Sequence, residues 1–504
     1  MRLDRVISGV LAGLLVLGLA GCAVEQPPET TVSTPADTTA SEPAGTTESR
    51  PLIQPMVFLS NTEVKFKKQE DGFVKVYYAD ELDDSTGTVI RVDMASKNQT
   101  IDGFGASFTD TATYLFSCLP EDTKNEVMLK LFDDQKGIGL DMIRNPLGAC
   151  DFSLEYYSYN DIPEGETDYE LEHFDFSKAA GQVALTKQAM EINPDIKLFL
   201  APWSAPLWMK TKYEWNTAKA MTSLRRDCYN VYADYLVKCI QGYEEQGVPV
   251  YAFSVQNEPL ILTDWPSMHW EWDQLADFTI DRMAPALEEA GLTTKILNLD
   301  HNWGRIAQGG DKLMAATMGV SAGMAWHWYD GEPEQMVEFA EQFPGIEMYV
   351  TEASSDRPAD LSCMLNVTAY AARSLRCGAK GYLMWNMAIG HNGGPALNGN
   401  TWNSGLLSIN TDEGTASFTG DYYSMAHFSK FIHQGAVALD STDTGADTDY
   451  KLVNIVTRNP NGTMTAVIVN RTKEDTVCKF VLGDQVMEVN MAARSIVTLT
   501  WDAN

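Results

Sequence analysis

Eight short apolar runs, each closing on polar or aromatic residues and separated by longer stretches with helical spacing, constrain this 504-residue chain more than any other feature. They lie around IDGFGAS from 101, LDMIRNP from 140, IKLFLAPW from 196, VYAFSVQNEP from 250, KILNLDHNW from 295, GMAWHWYD from 323, IEMYVTEAS from 346 and GYLMWNMA from 381. Between them, segments such as 179–193 and YNVYADYLVKCIQGYEEQG at 229–247 carry apolar side chains at the three- and four-residue intervals of an amphipathic helix. Eight such alternations predict an α/β fold, a (β/α)8 barrel over residues 99–430. In such a barrel the catalytic groups sit at the C-terminal ends of the strands.

The flanks follow a different period. VFLS, EVKFKK, FVKVYYAD and TVIRVDM between about 56 and 92 alternate in the two-residue rhythm of half-buried antiparallel strands, as do YKLVNIVTRN, TMTAVIVNRT, TVCKFVLG, QVMEVNM and RSIVTLTW near the C-terminus. The two pieces, 56–98 and 431–504, are expected to pair into one β-sandwich attached to the barrel.

Ahead of the first strand, Arg2 and Arg5 precede an apolar run from Val6 to Leu19 that ends in LAGC. The run is too short for a stable spanning helix and fits a secretory signal over 1–21. Its ending resembles the bacterial lipobox, which implies cleavage before Cys22 and lipid on that sulfur. Residues 22–55 are rich in Thr, Pro, Glu and Ala and poor in apolar side chains, so they are expected to form a disordered tether. The expected location is the extracellular face of a bacterial membrane, with the lipid anchor the only membrane contact, and the expected state is a monomer.

Seven cysteines remain after Cys22, with no CxxC pair or short regular spacing, and they read mainly as small buried apolar residues. The seven histidines show no metal-binding spacing, so no metal and no other cofactor is expected. A formal charge of −32 disfavours nucleic acid or an anionic polymer as partner and leaves a neutral substrate.

Two of the barrel strands deliver a glutamate to the catalytic end: Glu258 after the fourth run and Glu352 after the seventh. Paired carboxyl groups suit glycoside hydrolysis, where one gives a proton to the departing oxygen and the other stays ionised beside the anomeric carbon. A separation of about 5–5.5 Å lets the second attack directly and retain configuration; about 6.5–9.5 Å admits water and inverts it.

At this point the chain resembles glycoside hydrolase family 30, in the branch holding acid β-glucosidase (glucosylceramidase) and the β-1,6-glucanases. The match runs in order through IDGFGASFTDTATYLF, IRNPLGACDFSLEYYSYND, APWSAPLWMKT, QNEP, HWYDG, YVTEAS, WNMAIGHNGGP and HFSKFIHQGA. The resemblance implies a retaining mechanism, with Glu258 as general acid/base and Glu352 as nucleophile. It further implies that Asn257 holds the sugar 2-hydroxyl, that Tyr329 positions the nucleophile and that Arg144 keeps Glu352 ionised. A raised pKa is expected for Glu258. Asp151, Trp203, Trp385 and Asn400 match residues lining a glucose pocket.

His327 is expected either behind the pocket, supporting the residues that line it, or at its edge on the leaving-group side; His301 is given no role, and His427 and His433, leading out of the barrel, are expected to be structural. The stretch PLILTDWPSMHWEW departs from the glucosylceramidase pattern. Trp265, with Trp270 and Trp272, could offer a platform on the leaving-group side or belong to a packed helix face. The substrate expected is an extracellular β-1,6-glucan; a glucosylceramide or other β-glucoside comes second. Xyloside or fucoside cleavage, or a glycan-binding protein without turnover, comes behind.

Overall fold

The computed structural model describes residues 51–444 and 449–503. The expected signal, Cys22 and nearly all of the expected tether lie outside the described residues.

The eight expected strands form a closed parallel barrel. They are β1 (Gly103–Ser107), β2 (Met142–Leu147), β3 (Lys197–Pro202), β4 (Val250–Ser254), β5 (Lys295–Asn302), β6 (Gly323–His327), β7 (Glu347–Glu352) and β8 (Gly381–Met384). Seven strands each give one side chain to a common interior cluster: Met142, Phe199, Ala252, Leu297, Ala325, Tyr349 and Leu383. That layer fills the barrel and leaves only its two ends for polar chemistry. At the N-terminal end, Lys197, Lys295 and Glu347 open β3, β5 and β7 and join Asp102 and Lys380 in an ion-pair network with contacts of 2.6–3.0 Å.

Helices cover the outside because their apolar residues share a face. In Tyr229–Glu245, Tyr232, Tyr235, Leu236, Cys239, Ile240 and Tyr243 are buried at three- and four-residue steps.

Both flanks contribute to both sheets of the sandwich. One sheet runs Val437–Leu439, Leu452–Arg458, Thr463–Asn470, Ser495–Asp502, Met56–Ser60, Lys67–Lys68; the other runs Val74–Tyr78, Gln485–Met491, Thr476–Leu482, Thr88–Arg91. They share a core that includes Val57, Ile90, Val456, Phe480 and Leu499. The folded body starts slightly before the expected boundary at 56: the Ile53 amide donates to Gln485 Oε1 (2.9 Å), and its side chain packs on that core. His427 ties barrel to sandwich, its ring nitrogens within 2.8 Å of Ser60 Oγ and 2.9 Å of Thr498 Oγ1. All seven cysteines from 118 onward are free, and five are buried. A three-stranded sheet within the loop after β8, Ala388–Gly390 with Leu407–Asn410 and Thr415–Phe418, had no counterpart in the sequence reading.

Candidate active site

Two irregularities in strand pairing shape the C-terminal end of the barrel. Along β5 and β6 the register passes from Leu299↔Ala325 to His301↔Trp326, which leaves Asp300 over. Along β6 and β7 it passes from Val350↔Trp326 to Glu352↔His327, which leaves Thr351 over. Such bulges re-aim side chains. They allow Asp300 and His301, and likewise Thr351 and Glu352, to serve the same polar cluster although they are consecutive in sequence, and Thr351 Oγ1 donates to Asp300 Oδ1 (2.7 Å). Leu299 and Asp300 take φ of 69° and 45°, and Glu258 takes 45°. Each costs roughly 1–3 kcal/mol for a residue with a Cβ, a strain that recurs at functional sites.

Glu258 lies beyond the end of β4 rather than on it. Its amide donates to Asp300 O (2.9 Å) and that of Asn257 to Pro202 O (2.8 Å), so the segment is stitched between the ends of β3 and β5. Both Glu258 and Glu352 are buried. A single imidazole touches both: His327 Nδ1 is 3.1 Å from Glu258 Oε1, and its Nε2 is 3.7 Å from Glu352 Oε2. The same Nε2 lies 3.1 Å from Asp300 Oδ1.

Arg144, on β2, ties the group together. Its Nη1 donates to Glu352 Oε2 (2.7 Å), and its Nη2 to Asp300 Oδ2 (2.9 Å) and Asn257 Oδ1 (2.6 Å). The guanidinium lies 4.9 Å from the ring of Trp203 and 5.6 Å from that of Trp385, which are themselves stacked with centroids 5.1 Å apart. Tyr329 donates from its hydroxyl to Glu352 Oε1 (2.9 Å), while the residue as a whole is 44% exposed.

Three carboxylates thus share two cations. Burial alone would lower the His327 pKa, but Glu352, Asp300 and Glu258 raise it to about 10, so the ring is an imidazolium at neutral pH. Burial pushes Asp300 up, yet Arg144 and the His327 hydrogen bond hold it well below the usual carboxylate range. For Glu258 burial is outweighed by the His327 hydrogen bond and the two imidazoles, and its pKa is lowered. For Glu352 burial prevails over His327 and Arg144, helped by repulsion from Glu258 and Asp300, and its pKa is raised. These directions reverse the expected pattern of a raised Glu258 and an Arg144-ionised Glu352. The physical reason is His327, whose imidazolium donates a hydrogen bond from Nδ1 to Glu258 and so stabilises that carboxylate.

The remaining expected residues divide. Asp151 is buried, with Oδ2 accepting from Trp385 Nε1 (3.1 Å) and Oδ1 without a partner. Burial, then repulsion from Glu352, pushes its pKa up to about 8. A buried carboxyl oxygen without a partner next to Trp385, protonated at neutral pH, can give a hydrogen bond to a sugar hydroxyl as well as accept one.

Asn400 is not brought into this group. Its Oδ1 accepts from the amides of Trp402 (3.2 Å) and Asn403 (3.3 Å), and its Nδ2 donates to Asn403 Oδ1 (3.0 Å), so the amide is largely spent on its own turn. His327 is fully buried among the carboxylates, which fits the expected residue supporting the pocket from behind and not one at the edge or on a leaving-group surface, because it closes β6 and turns inward. Trp265 packs half-buried against the cluster of Trp203, Trp385 and Phe152. Trp270 is buried against Tyr229 and Phe278, and Trp272 donates to Gln308 O (2.7 Å), so neither forms a platform with it.

Asp300 and His301 were given no role from sequence. His301 Nε2 accepts from Arg305 Nε (3.1 Å), which leaves the proton of a neutral ring on Nδ1, 3.5 Å from Glu258 Oε1. Burial holds its pKa down, to about 4. The available signal was an Asp-His pair at a strand end of the kind that had singled out the two glutamates.

Two expected outcomes follow from these charges. Arg144→Ala leaves buried carboxylates without their fixed cation and should destabilise the fold by about 3–5 kcal/mol, read from denaturant unfolding. His327 has a folded pKa of about 10 against an ordinary 6.5, so its contribution to stability is complete below 6.5 and lost as the pH rises through 10. The melting-temperature advantage of the wild type over His327→Gln should therefore be largest near pH 6 and shrink steadily toward pH 10.

Residues 101–432 match the model described as the glycosyl hydrolase family 30 TIM-barrel domain. An endo-1,6-β-D-glucanase of Neurospora crassa is 30% identical over 77% of this chain and 82% of its own length. The lysosomal acid glucosylceramidase of Mus musculus is 26% identical over 77% and 78%. The solved endo-β1,6-glucanase BT3312 superposes with a TM-score of 0.78 at 25% identity, covering 90% of this chain and all of that one. A chain whose barrel carries this pair of glutamates, and whose sequence matches the family over most of its folded body, belongs to glycosyl hydrolase family 30 and is a glycoside hydrolase.

Proposed function

We propose that the protein is a retaining β-glucoside hydrolase that cleaves β-1,6-glucan outside the cell. The observation that carries the reading is the fixing of both oxygens of Glu352, by Arg144 Nη1 (2.7 Å) and the Tyr329 hydroxyl (2.9 Å), beside an imidazole that also meets Glu258. A carboxylate held by donors on both oxygens is oriented for direct attack on the anomeric carbon, as a nucleophile is, and the retaining outcome is what the product anomer tests.

Glu352 attacks the anomeric carbon while Arg144 and Tyr329 hold its two oxygens, and its C–O bond to the sugar forms as the glycosidic bond breaks. Glu258 delivers the proton to the departing oxygen, drawing on the one His327 shares with it over 3.1 Å. Water then attacks the glycosyl-enzyme, and Glu258 takes the water's proton and returns it to His327, which restores the starting charges. Asn257, oriented by Arg144, meets the sugar 2-hydroxyl, while Asp151 with Trp203 and Trp385 meets the rest of the ring. No cofactor is required by this scheme.

The likeness to endo-1,6-β-glucanases over most of the chain supports β-1,6-glucan as the substrate. The glucosylceramidase relatives support glucosylceramide as the second reading. The basic, apolar, LAGC-ended N-terminus supports a lipid on Cys22 that tethers a monomeric enzyme at the outer face of a bacterial membrane; Cys22→Ser should abolish incorporation of labelled fatty acid.

The test is a panel of pustulan-type β-1,6-glucan, glucosylceramide and an aryl β-glucoside, with the anomer of the first product followed by proton NMR. Turnover of the glucan to β-configured ends is expected. First-formed α product, or binding without turnover on every β-glucoside, would overturn the reading.

A further inference from the structure

The exposed apolar surface of this chain is not evenly spread. Of the 13 large apolar or aromatic side chains exposed among the described residues, 8 lie on loops that follow barrel strands. Those loops surround the end where Glu258 and Glu352 sit. Single exposed apolar residues need no explanation, but their concentration on one face marks an interaction surface. They include Leu154, Tyr213, Met221, Leu262, Leu397 and Trp402.

Trp402 is the most exposed of them, at 58%. An indole on a slack loop would be expected to fold back onto nearby apolar surface; this one stands on a pinned turn. Its amide donates to Asn400 Oδ1 (3.2 Å), and its carbonyl accepts from the amide of Arg357 (2.7 Å). Arg357 also donates from Nη1 to Thr401 O (2.9 Å), Asn403 Nδ2 donates to Ser354 Oγ (2.9 Å), and Asp356 and Asn403 form an antiparallel bridge. Ser354 lies two residues beyond Glu352. The turn is thus fastened to the chain leaving β7, and Trp402 is fixed at the rim on the nucleophile's side. The hydrogen bonds of Asn400 serve this anchoring.

The inner pair behaves differently. Trp203 and Trp385 are almost fully buried, so they can meet only a sugar that has already entered the pocket. A second sugar of the same chain would lie outside them, where the next aromatic face is on the rim. A β-glucosyl ring presents axial C–H groups on its faces, and these stack on an indole without requiring charge, which also suits a protein of net charge −32.

We propose that Trp402 is a stacking platform for a second glucosyl unit of a β-linked glucan whose reacting unit lies between Glu258 and Glu352. It turns a one-sugar pocket into a cleft for a polymer. The inference rests on the glucanase reading and names the residue that makes the site favour a chain.

The test compares wild type with Trp402→Ala and Trp402→Phe in the full chain. The probes are β-glucosyl fluoride, which has one sugar and no aglycone ring, β-1,6-linked gluco-oligosaccharides of increasing length, and glucosylceramide in detergent micelles. For Trp402→Ala, kcat/KM on the fluoride should stay within about twofold, whereas on oligosaccharides and polymer it should fall about five- to tenfold, mostly through KM. Trp402→Phe should recover much of the loss.

Equal losses on fluoride and polymer, no loss on any substrate, or a loss confined to glucosylceramide, where the indole would be meeting lipid chains, would each overturn the proposal. Failure of the wild type to cleave the glucan would instead sink the glucanase reading. Trp402 is then judged by binding: titration of gluco-oligosaccharides into Glu352→Gln with and without Trp402→Ala supports the platform if affinity differs about fivefold or more, and overturns it if the two bind alike.

Discussion

Glu352→Ala is expected to leave no measurable hydrolysis of any β-glucoside, with circular dichroism and the unfolding transition showing a folded protein. The substitution removes the atom that forms the bond to the anomeric carbon, and no neighbour can replace it. Asp300 is committed to Arg144, His327 and Thr351. Asp151 sits beside Trp385 with a pKa pushed up to about 8. Arg144 keeps Asp300 and Asn257 as partners, so the cation is not stranded. The vacated space faces Arg144 Nη1 and the Tyr329 hydroxyl, a pair of donors suited to a small anion. Azide entering there attacks from the nucleophile's side and should restore turnover of an activated aryl β-glucoside as α-glucosyl azide. Persistent hydrolysis, or a β-configured azide product, would show that Glu352 is not the attacking group.

The barrel was legible because its strands are buried on both faces and read as continuous apolar runs, while the helices between them carry a single apolar stripe. Both glutamates were legible for a related reason, since each is the acid that follows such a run. The charge system around them was not. Asp300 and Thr351 contribute through bulges, and neither LNLDHN nor YVTE contains the glycine or proline that commonly marks a break in pairing.

The sequence left His327 undecided between a supporting place and the pocket edge for the same reason. Its position at the end of β6 could be read, but whether a terminal side chain turns toward solvent or inward depends on register with both neighbours. Asn400 shows a different limit: an Asn in NGNTWNS can bind a ligand or tie its own turn, and three hydrogen bonds within the turn favour the second. In the aromatic stretch after Glu258, composition identified tryptophans but could not tell Trp265, near the pocket, from Trp270, in the core.

Glu258→Ala should slow hydrolysis by roughly 100- to 10,000-fold on substrates with poor leaving groups, the usual worth of general acid catalysis. On an aryl glucoside with an acidic phenol the first step should survive nearly intact, because that leaving group departs without a proton. The glycosyl-enzyme then accumulates, since the same residue also has to activate water, and the time course should show a burst.

The hydrogen bonding around Glu258 makes this test sharper. Glu258 rests below its ordinary pKa because the His327 imidazolium donates to it, so the proton it passes on must be shared with that ring. In the variant His327 still faces Asp300 at 3.1 Å and Glu352 at 3.7 Å, but it has lost its path to the glycosidic oxygen. Its charge alone should therefore not rescue poor leaving groups. Azide, unhindered on the face the carboxylate has left, should attack the accumulated intermediate and give β-glucosyl azide, the anomer opposite to that from Glu352→Ala. Equal losses on good and poor leaving groups would instead place the transferred proton on a residue other than Glu258.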